Sequence, residues 1–240
     1  AITNRGERMT TETIRPRRAG VPTLLIVIAG MIAGLFVLPF GWGVRTFRMP
    51  SGSMQPALYV RDYFVVTKWS YGYGRYSFAP FPGVSEGRLL ASTPARGDLV
   101  VFRPTPEPDR DFVKRVIGLP GDRVQMIAGV LHLNGAAVPR EDLGAVLFSD
   151  EDGDTITGHG YRETLPGGAA YVVFDRAEGE LDNTREFVVP EGHLFLMGDD
   201  RDNSADSRVP SMVGYVPMDN LVGRVAWVLE SSPAVRLATD

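Results

Sequence analysis

Residues 97–119 read GDLVVFRPTPEPDRDFVKRVIGL. Two short apolar runs, rich in Val, Phe and Ile, are bounded by Gly and Pro, which marks strands rather than a helix. The same pattern recurs on both sides. DYFVVTKW (62–69), DRVQMI (122–127), VLHL (130–133), AAYVVFD (169–175), EFVVP (186–190), HLFLMGD (193–199) and GRVAWVLE (223–230) are short apolar runs set between turn residues. In VLHLNGAAV (130–138) the Asn134-Gly135 step predicts a hairpin turn. Past Arg45 the helical period is scarce, so the expected class is mostly β.

Upstream the pattern changes. From Ala19 to Val44 there are 26 residues without a charge, including TLLIVIAGMIAGLFVLPF (23–40). As a helix they would reach about 39 Å, against a hydrocarbon core of about 30 Å. Pro22 and Pro39 lie near the two ends, where proline does least harm. Trp42 is placed for a membrane interface. A cleaved leader would have a shorter apolar stretch and end in small residues, which PFGWGVRTF (39–47) does not offer. A buried core helix is the other alternative. The reading preferred is one retained transmembrane helix over 19–44. It follows a basic cytoplasmic N-terminus (1–18) and precedes an extracytoplasmic domain (45–240). Charge agrees: residues 1–44 carry a net +3, and the remainder carries −7 of the total −4.

Composition closes off several chemistries. The chain has 44% hydrophobic and 22% charged residues, ordinary globular values that exclude wholesale disorder. With no Cys there is no disulfide, thiolate metal site or Cys nucleophile. Three scattered His make a poor metal set, and the negative charge argues against nucleic acid as the main partner. Two stretches read as insertions decorating the sheet: residues 70–95, rich in Gly, Pro, Tyr and Ser, and a second, turn-rich region near 140–190. The acidic run SDEDGD (149–154) lacks the closing Glu of a calcium-binding EF-hand and reads as a solvated loop.

Lysine is informative by its rarity. Of 25 Lys and Arg residues, only Lys68 and Lys114 are lysine. Arg holds its proton in a protein, whereas a desolvated Lys gives it up. Lys114 lies inside an apolar strand beside Arg115, and alternation puts the two on opposite faces, so one is expected buried and the other solvated. The plainer reading of a strand lysine is a snorkelling surface residue. RMPSGSMQPAL (48–58) sets Ser51 and Ser53 around Gly52 between two prolines. Two close hydroxyls could supply a nucleophile and an oxyanion donor, or the segment is a simple surface loop. Local composition does not rank the two serines. GDDRDNSADSR (198–208) reads either as a metal or phosphate loop or as a self-satisfied turn of Asp–Arg pairs; the turn is preferred.

Taken in order, RMPSGSMQPAL, RGDLVVF (96–102), FVKRVIGLPGD (112–122) and GDDRDNSADSR resemble the motifs of bacterial type I signal peptidases, membrane-anchored serine proteases with a Ser/Lys dyad. The likeness runs from Phe47 to Arg208 and is weak over 70–95 and 140–190. It implies an antiparallel, barrel-like β protease core with an inserted smaller β domain. It implies Ser53 as nucleophile, Lys114 as general base, and Ser51 as completing an oxyanion hole with the Ser53 amide. Ser204 would orient the lysine. Asp199, Arg201, Asp206 and Arg208 would support it, Asp206 pairing with Arg208. Arg96, Gly97, Asp98, Gly121 and Asp122 would be structural. Asp200 stands where the family usually has Asn.

On that resemblance the substrate is a preprotein cut after its signal peptide, with small side chains preferred before the cut. Phe47, Met49, Pro50, Met54, Phe112 and Val113 are candidate pocket walls. The expected partners are preprotein signal peptides and the lipid bilayer; no metal, cofactor or nucleic acid is expected, and the protein is expected to be a monomer in the bacterial inner membrane. Only Arg45–Gly52 separate Val44 from Ser53, at most about 29 Å of extended chain, which would hold the nucleophile near the bilayer. Lowering a lysine pKa from about 10.4 to 7–8 costs about 3–5 kcal/mol of ammonium stability, which burial can supply. The alternatives are a related Ser/Lys processing peptidase of narrower range and a non-enzymatic membrane-anchored β interaction module.

Overall fold

β-Branched and aromatic residues pair as strands because a pleated ladder gives their side chains room that a helical turn denies. The computed structural model describes residues 43–77, 86–149, 154–176, 178–229 and 236–237. Its strands are β1 (Val44–Arg48), β2 (Tyr63–Thr67), β3 (Leu99–Phe102), β4 (Phe112–Gly118), β5 (Arg123–Ile127), β6 (Val130–Leu133), β7 (Ala136–Ala137), β8 (Arg140–Ser149), β9 (Thr155–Thr164), β10 (Ala170–Asp175), β11 (Phe187–Val188), β12 (His193–Met197), β13 (Val216–Pro217), β14 (Leu221–Val228) and β15 (Arg236–Leu237). They form a seven-stranded sheet in the order β1-β2-β14-β3-β4-β12-β13 and two four-stranded sheets, β10-β9-β8-β15 and β11-β5-β6-β7. All the paired strands are antiparallel. The mostly β expectation holds.

The large sheet is covered on both faces. Met49, Met54 and Leu58, from the segment after β1, pack against Phe64, Val66, Val101, Val113 and Val222. Val100, Phe102, Val116, Leu194, Leu196 and Leu221 form a separate cluster. Strand β4 is therefore buried without interruption from Val113 to Gly118. That corrects the expectation that Lys114 or Arg115 would be solvated: their exposures are 3% and 8%. A strand packed on both sides has no wet face to offer.

The Asn134-Gly135 turn is as expected. Both residues have positive φ, 56° and 83°, and they join β6 to β7 with the twist a tight hairpin needs. The region near 140–190 carries more strand than its acidic, turn-rich run suggested. It contains β8 and β9, ten residues each and the longest strands among the described residues, followed by β10. Glycines within these strands disguised them. A Cβ on Gly158 would lie 2.8 Å from the Asp175 carbonyl oxygen and 2.9 Å from the Phe148 ring, so glycine there serves close packing rather than a turn. Residues 150–153 of SDEDGD, and 78–85 of the other insertion, lie outside the described residues.

The expected transmembrane helix also lies outside the described residues, apart from Gly43 and Val44, and Val44 already opens β1. Among the described residues no helix is long and apolar enough to cross a membrane. Half of the short link between Val44 and Ser53 is strand, paired with β2 in the register Val44↔Thr67 to Arg48↔Tyr63.

Candidate active site

Three segments converge. After β1 the chain is fixed by Met49, whose N–H donates to the Asp62 carbonyl (2.8 Å) and whose carbonyl accepts from the Arg61 N–H (2.8 Å). This delivers Ser53, which is buried. Strand β4 supplies Lys114, opposite Val100 of β3. Strand β12 pairs Met197 with Arg115, and so launches the 198–208 loop beside Lys114.

The Lys114 Nζ donates to the Ser53 Oγ at 2.6 Å, and the Ser51 Oγ lies 3.3 Å from the Ser53 Oγ. The amine lies wholly inside the protein, and burial pulls its pKa down from 10.5 to about 8. Asp206 and Asp199 act against burial, Arg208 acts with it, and Asp200 adds a smaller upward pull. The result is an amine that gives up its proton far more readily than a solvated lysine.

Each of those carboxylates has an arginine partner. Asp206 accepts from the Arg208 Nε (2.9 Å) and Nη2 (2.8 Å), and its Oδ2 also takes the Gly198 N–H (3.0 Å). Burial pushes the Asp206 carboxyl up, but Arg208 and these hydrogen bonds outweigh it and hold it below its ordinary value. Asp199 is gripped at both oxygens by Arg115. Asp200 pairs with Arg176, the Nη2 at 2.6 Å and the Nε at 3.2 Å. The loop is thus a self-satisfied turn in part, as expected, but two of its acids depend on arginines from elsewhere in the chain.

The same loop is fastened to the β9–β10 hairpin. Arg201 donates to both oxygens of Glu163, which is buried and also accepts from the Tyr171 hydroxyl (2.8 Å). The Arg115 guanidinium lies over the Tyr171 ring, 4.2 Å from its centroid. Phe174 exchanges backbone hydrogen bonds with Asp199 (2.9 Å) and Arg201 (2.8 Å). The insertion near 140–190 therefore does not merely decorate the sheet: it holds the loop beside Lys114. Arg115, Glu163, Tyr171 and Arg176 gave no functional signal in sequence beyond the position of Arg115 next to Lys114.

Other expected residues divide. Arg96 binds Asp122 (2.7 Å), and Asp98 takes the Tyr71 hydroxyl (2.8 Å), both in structural positions. Gly97 and Gly121 have φ of 89° and 86°, in the left-handed region that favours glycine. Ser204 is buried, but its Oγ has no hydrogen-bond partner, so the expected bond to Lys114 is not made. Ser204 instead packs on Gly198: a Cβ there would lie 2.2 Å from the Ser204 Oγ and 2.6 Å from the Ser53 carbonyl oxygen. Gly198 was legible only as the first letter of its motif.

The six candidate pocket walls fall in different packing environments. Met49, Met54, Val113 and the half-buried Phe47 belong to one cluster, Met54 being fully buried, while Pro50 is exposed. Phe112 packs with a different cluster, 6.0 Å from the Phe102 ring centroid. Met49 and Met54 are buried because the segment they belong to packs onto the sheet.

A family model described as "Signal peptidase, peptidase S26" matches residues 22–230. The chain belongs to this family. It is similar to signal peptidase I of Rickettsia typhi, 38% identical over 234 residues that span 94% of this chain and 83% of that protein. With signal peptidase I of Rickettsia akari it shares 39% identity over 194 residues, 77% of this chain and 71% of that one. A crystal structure of a signal peptidase I from Enterococcus faecalis V583 aligns with a TM-score of 0.35 at 26% identity, covering 56% of this chain and 98% of that one. The chain is a serine peptidase, a hydrolase of peptide bonds, as the sequence motifs implied.

Proposed function

We propose that the protein removes signal peptides from exported preproteins with a Ser53–Lys114 dyad, acting from a membrane anchor formed by residues 19–44. One observation carries the reading: a lysine amine excluded from water lies 2.6 Å from a serine hydroxyl. The neutral Lys114 amine takes the Ser53 proton as the Oγ attacks the scissile carbonyl carbon. The carbonyl oxygen becomes an oxyanion, which on this reading the Ser53 backbone N–H and the Ser51 hydroxyl receive. Collapse of the tetrahedral intermediate breaks the C–N bond, and the Lys114 ammonium returns its proton to the departing amine. Lys114 then deprotonates a water, which attacks the ester; the second collapse releases the carboxylate product and restores the Ser53 hydroxyl.

The anchor fixes where this happens. With β1 starting at Val44, the chain leaves the proposed span as a strand of the catalytic sheet. On this reading Ser53 acts on the outer side of the bacterial inner membrane, where a translocated preprotein presents its cleavage site. The Arg-rich residues before the span would remain in the cytoplasm.

The test is cleavage of a reporter preprotein by the full chain in liposomes. Ser53→Ala and Lys114→Ala are each expected to lower turnover by about a thousandfold or more, as losses of groups that act together. Normal turnover by Lys114→Arg would refute the dyad, because an arginine cannot serve as the neutral base.

A further inference from the structure

Asp199, Asp200 and Asp206 all favour the charged form of Lys114. Asp206 is matched by Arg208, two residues along, and Asp199 by Arg115, the neighbour of Lys114 in sequence. Asp200 is matched from the inserted hairpin. It is fully buried, its N–H reaches the Ser53 carbonyl oxygen at 3.3 Å, and it bridges to Phe174 of β10. The chain then turns so that the Arg176 Nη2 meets the Asp200 Oδ2 at 2.6 Å. Arg176 is itself held. Its N–H donates to the Asp202 Oδ2 at 2.6 Å, and its guanidinium lies 5.2 Å from the Phe148 ring centroid.

We infer that Arg176 is a positioning residue for the reaction: by pairing with Asp200 it keeps that buried carboxylate from holding the Lys114 amine in its charged, unreactive form. This rests on the dyad reading. The surrounding charges do not replace it. Arg208, Arg115 and Arg201 are engaged by Asp206, Asp199 and Glu163. Burial raises the Asp200 carboxyl above its ordinary value, Arg176 pulls it back down, and Asp202 adds a second negative charge beside it. Asp175, at the end of β10, faces Asp202 and Asp182 and has Arg140 nearby, with its carboxyl raised to about 6 by burial and by those acids. Without Arg176, Asp200, held by its backbone beside Ser53, would keep no cation of its own. The side chain of Arg176 is 22% exposed, so water screens part of the effect.

The experiment is the pH dependence of kcat/KM for preprotein cleavage by the full chain in liposomes. Arg176→Met is expected to raise the midpoint of the activity rise by roughly half a pH unit, about a threefold loss below the midpoint that vanishes well above it. Asp200→Asn is expected to lower the midpoint, and the double variant to return it to the wild-type position. An unmoved midpoint in Arg176→Met overturns the inference, as does a loss at every pH that Asp200→Asn does not relieve. If Arg176→Met does not fold, Asp200→Asn decides alone: a downward shift supports the inference, and no shift or an upward one overturns it. Lys114→Ala separates the two claims. An inactive Lys114→Ala with an unmoved Arg176→Met midpoint removes only the inference, whereas an active Lys114→Ala removes the dyad and the inference together.

Discussion

Replacing Lys114 by Met should make the protein inactive and more stable. Met has a similar length and no charge, so it can occupy the same dry space with little strain. The lysine titrates near 10.5 when unfolded and at about 8 in the folded chain. Below the folded value both states carry the proton, and the full cost of burying the ammonium is present, about 3 kcal/mol. Between 8 and 10.5 the unfolded state binds more protons, so wild-type stability rises with pH and the cost fades. Losing the hydrogen bond to Ser53 takes back about 1 kcal/mol. The net gain expected for Lys114→Met is about 2 kcal/mol at pH 7, shrinking to near zero by pH 10. Urea unfolding of the full chain in detergent, followed by tryptophan fluorescence at several pH values, measures the difference; other titrations are common to both proteins and cancel. A variant less stable than wild type at pH 6, or a gap that does not close with rising pH, refutes the premise that this amine is strained by burial.

Gly198→Ala should impair cleavage far more than its size suggests, because the new methyl would meet the Ser204 Oγ and the Ser53 carbonyl oxygen; a preprotein assay should show a loss of tenfold or more. Glu163→Gln leaves Arg201 buried without its counter-charge and should cost about 3–5 kcal/mol in a urea melt, although Glu163 lies outside the four motif segments. Gly135→Ala should cost about 1 kcal/mol through its positive φ and leave kcat/KM unchanged, since the β6–β7 turn is remote from the dyad in sequence and belongs to another sheet.

The sequence disclosed the parts of this fold that obey local rules. Runs such as Leu99–Phe102 and His193–Met197 are short, apolar and bounded by turn residues, and they are strands of the main sheet. The β8–β9 pair escaped because its charges and glycines answer to residues on other strands and loops: Glu163 to Arg201, Gly158 to Phe148 and Asp175. Residue type made Lys114 a candidate, because only a lysine and not an arginine can be a neutral base, but the choice of Ser53 over Ser51 and the pairing of the two came from the family resemblance. Their environment was not legible. That Arg115 would be buried against Tyr171, or that Asp200 would find Arg176, depends on which strands lie side by side. The surroundings of the pocket candidates were equally hidden, since proximity to Ser53 along the chain did not separate exposed Pro50 from buried Met49 and Met54.

The fastening of the β9–β10 hairpin to the loop has a consequence for anyone building chimeras. Exchanging this hairpin for that of a relative would not be a cosmetic graft. The incoming segment has to bring an acid that meets Arg201 and a base that meets Asp200, both in the original register, or the recipient is left with two unmatched ions in its interior. Donor and recipient should therefore be chosen by how these two ionic latches fit, ahead of overall likeness.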